Sequence, residues 1–203
     1  MRLLVQNWLQ NESGSVSVSA AFILTTFIVI FGCAAELTNA YFKTNSLQHA
    51  AKAGARIAVT SEPVASALTT MTGLEGSGEV GDPMPTYKIV CSGETQSCSQ
   101  GSFNQAAFDK ILYGRDNDDT CQATSKERRG MCDMFDQLNA ENVTITYENS
   151  GMGRAGNPPR IIPLVTVAIA NVDQDYLFLD MVNDDLGSAK LKAQAMSIGE
   201  DLK

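Results

Sequence analysis

Histidine and tryptophan occur once each among the 203 residues, as His49 and Trp8. Histidine metal sites and aromatic cages therefore have almost nothing to draw on. Basic residues are also short: 15 Lys plus Arg stand against 23 Asp plus Glu, a formal net charge of −8. A nucleic-acid surface needs clustered cations to displace phosphate counterions, so no nucleic-acid partner is expected. The chain lacks a C-x2-C pair for zinc and a G-x-S-x-G elbow for a serine nucleophile. No cofactor, metal or catalytic residue is expected, and the protein is not expected to be an enzyme. The acidic balance suits an exported domain kept soluble by self-repulsion.

Charge is missing altogether from Ser13 to Ala35, and proline is missing before Pro63. Twenty-three uncharged residues at ~1.5 Å each span about 34 Å, enough to cross a hydrocarbon core of ~30 Å. A removable signal has a shorter apolar stretch, so a retained membrane helix over 15–36 is expected, behind a polar leader over 1–14. Beyond it, Glu36 to Val59 contains only one glycine, Gly54. Leu47, Ala50, Ala51, Gly54, Ala55, Ile57 and Ala58 recur at helical spacing, while Lys43, Lys52 and Arg56 fall mostly elsewhere on the wheel. The same helix therefore continues as an amphipathic segment over 37–62, until Glu62-Pro63 stops it. The small residues Gly54 and Ala55 offer a close packing surface to a domain or a partner. Within lipid, Ala20, Ala21, Gly32, Ala34 and Ala35 offer the same to other helices.

Orientation is not set by charge, since Arg2 precedes the apolar run and Lys43, Lys52 and Arg56 follow it. The cysteines speak instead. Cys33 lies in the apolar run; Cys91, Cys98, Cys121 and Cys132 lie downstream and suit a disulfide framework in an oxidising compartment. Three connectivities are open, and the one that closes two short loops pairs Cys91 with Cys98 and Cys121 with Cys132. "VIFGCAAE" around Cys33 also has the look of a lipid-attachment box, although the unbroken helix favours packing of Cys33 within it.

Downstream, 63–85 is rich in glycine and proline and is expected to be a linker or long loop; 86–203 is expected to be one periplasmic domain. "TYKIVCS" and "NVTITYE" read as strands, the latter with Val143, Ile145 and Tyr147 on one face. "RIIPLVTVAIANV" reads as a strand with an edge or bulge near Pro163, and "KLKAQAMSIGED" as a last alternating strand. "SFNQAAFDKILYG" reads as a helix capped by Ser102, and "SKERRGMCDMFDQLNAE" as another with Met131, Met134, Phe135 and Leu138 inward. "YLFLDMVNDDLG" suggests a short helix. The class is α+β: a long N-terminal helix and a small, mostly antiparallel sheet.

The stretches "ESGSVSVSAAFILTTFIVIFGCAAEL" and "NSLQHAAKAGARIAV" resemble the TadE-like family, pilin-like proteins of the tight adherence (Flp, type IVc) pilus machinery. The likeness covers roughly the first 60 residues. It rests on a polar leader ending in Gly14, the apolar run from Val16, Glu36 at its end, and Ala50-Ala51, Gly54-Ala55-Arg56 and Ala58 beyond. The resemblance implies that a prepilin peptidase cuts between Gly14 and Ser15 and that the helix stays as the assembly element. It implies a minor pilin or pseudopilin of the bacterial inner membrane, with other pilin-like subunits, assembly machinery and membrane lipid as partners. The family usually carries glutamate at the fifth mature position, here Ser19. Serine supplies no charge to pair with a neighbour's terminal amine, which points to a low-copy or initiating role.

Other motifs read blandly. "GMGRAG", Gly151–Gly156, has dinucleotide-fingerprint spacing, but Asn157-Pro158-Pro159 follows where a helix is required, so a flexible hairpin is expected. "DNDDTCQATSKE" places Cys121 where a calcium loop needs glycine, so it reads as a solvated acidic loop. Lys126–Arg129 reads as a solvated helix face. The rival function is a membrane- or lipid-anchored periplasmic binding module without a filament role. Its ligand surface would lie on Gly151–Gly156 or Asp116–Thr120.

Overall fold

The computed structural model describes residues 13–75, 78–114, 121 and 128–199. Its dominant element is α1, Ser13–Thr60, a single helix of 48 residues and about 72 Å. No proline interrupts it. Four threonine hydroxyls along it, those of Thr25, Thr26, Thr38 and Thr60, donate to the carbonyl four residues back at 2.8–3.0 Å. In the apolar half these bonds satisfy each hydroxyl without water. Pro63 bars helix at the residue before it, and α1 stops at Thr60.

The chain forms two compact units. One contains the described residues up to Tyr41 together with Asp175–Ala189; the other contains Phe42–Gln174 and the residues from Lys190. In the second unit the remaining elements follow in order: α2 (Ala67–Thr70), β1 (Lys88–Ser92), β2 (Ser97–Cys98), α3 (Gln105–Tyr113), β3 (Val143–Asn149), β4 (Pro163–Asp175) and β5 (Ser188–Ile198). A short helix α4 (Phe178–Val182) and a 3-10 turn (Asp184–Leu186) lie between β4 and β5. The strands form one open antiparallel sheet in the order β2-β1-β3-β4-β5. A long helix with its second half on such a sheet is a pilin-like layout, and the class is α+β.

Register explains the core. Ile89 stands opposite Tyr147, Cys91 opposite Ile145, Val143 opposite Ile169, Ile145 opposite Val167 and Tyr147 opposite Val165. All of these are buried, and so are Leu47, Ala50, Ala51, Gly54, Ala55, Ile57 and Ala58 of α1. The period-2 face of the sheet thus meets the small-residue stripe of the helix. The stripe is small for a reason: a Cβ on Gly54 would overlap the Met131 thioether.

β4 is an interior strand with Pro163 as its first residue, where a missing N–H costs no ladder bond. The bulge lies at its other end. Burial alternates from Pro163 to Ile169, slips at Ala170-Asn171, and resumes in the opposite phase at Val172 and Gln174. Asn171 sits at φ 59°, and the Asn142 amide donates to the Ala170 and Asn171 carbonyls at 3.2 Å each. Asparagine tolerates that left-handed backbone better than the β-branched residues around it.

Two local expectations need correction. The cap of α3 is Asn104, whose side chain accepts from the Ala107 N–H at 3.2 Å; Ser102 instead donates its N–H to Ser66 Oγ at 2.7 Å. The helix expected across Met131–Leu138 is a series of turns, although Met131, Phe135 and Leu138 are buried. Its amides are committed elsewhere: Met131 and Cys132 donate to the Ile111 and Leu112 carbonyls at 3.3 and 3.0 Å, capping the C-terminus of α3. The 63–85 stretch is a packed loop. Val64, Ala65, Leu68 and Met84 are buried, and Gly81 and Met84 donate to the Ala155 and Gly153 carbonyls at 2.9 and 3.0 Å.

Candidate functional site: the long helix and the Glu36 clasp

The apolar half of α1 is bare. Phe22, Phe27 and Phe31 are 71, 53 and 67% exposed, and the most apolar window has mean hydropathy 2.3 with none of it buried. Such a surface on a soluble domain would far exceed an ordinary apolar patch. By length and composition this helix can cross a membrane. Gly14 and Ser15 lie within α1, while Ser19 is exposed among the apolar residues. Cys33 is a free thiol, half-buried within the continuous helix.

At the end of the charge-free run, Glu36 makes a contact that sequence reasoning did not find. Its carboxylate accepts the backbone N–H groups of Leu177, Phe178 and Leu179, the last two at 2.9 and 3.1 Å. These are the first amides of α4, which a four-residue register leaves without partners inside the helix. A carboxylate there satisfies three donors and opposes the positive end of the turn. One turn back along α1, a Cβ on Gly32 would overlap the Phe178 ring. Glycine at 32 and the acid at 36 thus form a seat and a clasp for α4, spaced four residues apart on one face. No local signal joins positions 141 residues apart in the chain. The only hint was an acid closing an apolar run.

The other residues singled out in the sequence lie in the second unit. Gly54 and Ala55 are buried in that unit's own core, so their close approach is to Met131 and its neighbours; Arg56 is exposed. Cys91 bonds Cys98 across the β1–β2 hairpin, with Cα atoms 4.0 Å apart; Cys121 bonds Cys132, with Cα atoms 5.2 Å apart. His49 is exposed on α1. The Gly151–Gly156 loop is not a free hairpin: its backbone pairs with the 72–84 stretch, including Gly156 N–H to Thr72 O at 3.0 Å. Asp116–Thr120 and Lys126–Glu127 lie outside the described residues, and Arg128 donates to Thr60 Oγ1 at 3.1 Å. Among the described residues no three His, Cys, Asp or Glu side chains converge as a metal site would require.

Two tyrosines stand apart from ordinary packing. Tyr147, fully buried, accepts the Val64 N–H at 3.1 Å, just past the end of α1. Burial pushes its hydroxyl up to about 12, against the opposing pull of that N–H. Burial likewise pushes Tyr87 up to about 12, but its hydroxyl is buried without a hydrogen-bond partner. Comparison with family models, curated proteins and solved structures finds no match for this chain.

Proposed function

We propose that this chain is a non-catalytic minor pilin or pseudopilin that takes part in assembling a tight adherence (Flp-type) pilus or secretion apparatus. It sits in the bacterial inner membrane as a single-pass protein with its disulfide-tied domain in the periplasm. The observation that carries this reading is the division of α1. One unbroken helix is bare and apolar in its first half and forms the core of an α+β domain in its second. A plain anchor needs only the first half. A helix shared between membrane and domain is what an assembly subunit requires, because helix-to-helix packing in lipid then positions the domain directly. Ser19, exposed and uncharged, fits a low-copy or initiating subunit.

The test is the mature N-terminus, read by mass spectrometry on the full chain expressed with and without a prepilin peptidase. A terminus at Ser15 that depends on the peptidase is expected, with Gly14→Leu abolishing it. An intact Met1 in both samples would leave an anchored periplasmic binding or scaffold protein. An acylated Cys33 at the terminus would make it a lipoprotein.

A further inference from the structure

We infer that the β4–β5 tip, Tyr176–Gly187, is a second membrane contact: α4 lies in the outer border of the bilayer beside α1, held there by Glu36. The tip is a closed unit, with Tyr176 N–H donating to Gly187 O at 2.8 Å. It presents Leu177, Met181, Val182 and Leu186 at 68, 70, 61 and 48% exposure, an unusual concentration for a turn between strands.

Its level along α1 identifies the occupant of this face. Phe178 rests on Gly32, three residues or about 4.5 Å inside the charge-free run that ends at Ala35. If that run crosses a bilayer, the first turn of α4 sits at the edge of the hydrocarbon. Backbone amides there have no water to bond and must be satisfied by protein. Glu36 satisfies three of them. In water the same amides could be solvated freely; at the edge of the hydrocarbon the clasp takes the place of that water. The exposed acids Asp180 and Asp185 remain for the headgroup side.

The inference rests on α1 crossing the membrane, and the experiment separates the two. Single nitroxides are placed at Phe27→Cys, Met181→Cys and Glu79→Cys in a Cys33→Ala background. The full chain, with its disulfides intact, is reconstituted in phosphatidylcholine nanodiscs. Accessibility to oxygen and to a water-soluble nickel chelate is then measured. The oxygen-to-nickel ratio at Met181 should lie several-fold above that at exposed Glu79 and below that at Phe27. Adding Glu36→Ala should move the Met181 label toward water. A Met181 label as nickel-accessible as Glu79, with Phe27 still in lipid, would overturn the inference. So would a Met181 label shielded from both reagents, which would indicate a protein partner. A nickel-accessible Phe27 would remove the membrane span itself, and the inference with it.

Discussion

Tyr147 and Tyr87 offer a matched pair of substitutions with opposite expectations. Tyr147→Phe removes the acceptor of the Val64 N–H in a position that is fully buried, as is Val64 itself. A buried donor left without a partner costs about 1–3 kcal/mol. The ring stays and its packing is conserved, so no cavity term is added. A loss of about 2 kcal/mol corresponds to a Tm lower by about 4–8 °C in a chain of this size. Tyr87→Phe removes a buried hydroxyl that has no partner, so it should be neutral or slightly stabilising. The assay is urea unfolding of the full chain in detergent micelles, followed by circular dichroism of the sheet, with equal m-values required of both variants. If Tyr147→Phe matched Tyr87→Phe, the Val64–Tyr147 bond would not be what ties the end of α1 to the sheet. The bond matters for function because the proposed role needs the helix to carry the domain with it.

The same tyrosines predict the alkaline limit of stability. Their native hydroxyls hold protons up to about 12, whereas the ordinary value is 10, so between these values the unfolded chain binds fewer protons than the native one. Stability is complete below pH 10 and falls as pH rises from 10 toward 12. Unfolding titrations across that window should show the decline, with a shallower slope in Tyr147→Phe. Gly54→Val should destabilise the second unit by about 1–3 kcal/mol, because its side chain must displace the buried Met131. Met131→Ala should recover part of that loss in the double mutant, and strictly additive effects would refute the contact.

Elements whose causes are local could be read from the chain. α1 follows from an unbroken apolar and then amphipathic period with no proline before Pro63, and its buried stripe contains the seven small or apolar residues the wheel selects. Val143, Ile145 and Tyr147 share the buried face that their alternation implied. What failed did so because a distant partner outweighed the local pattern. Met131 and Cys132 spend their amides on the end of α3, so a plausible helical spacing becomes turns. The glycines of 73–81 and 151–156 read as breaks, yet the two stretches pair by backbone, and a Cβ on Gly73 would overlap Met84 while one on Gly153 would crowd it. Pro163 suggests by residue type an edge or bulge near the start of β4, whereas β4 is interior and Asn142 fixes a bulge at Ala170-Asn171.

The amino-acid sequence by itself determined that a bare apolar helix would lead into an amphipathic one, because helix period and the absence of charge are properties of neighbouring residues. Only the tertiary structure decided what Glu36 does. Its three acceptor bonds go to amides that the fold, and nothing in the local sequence, brings to it.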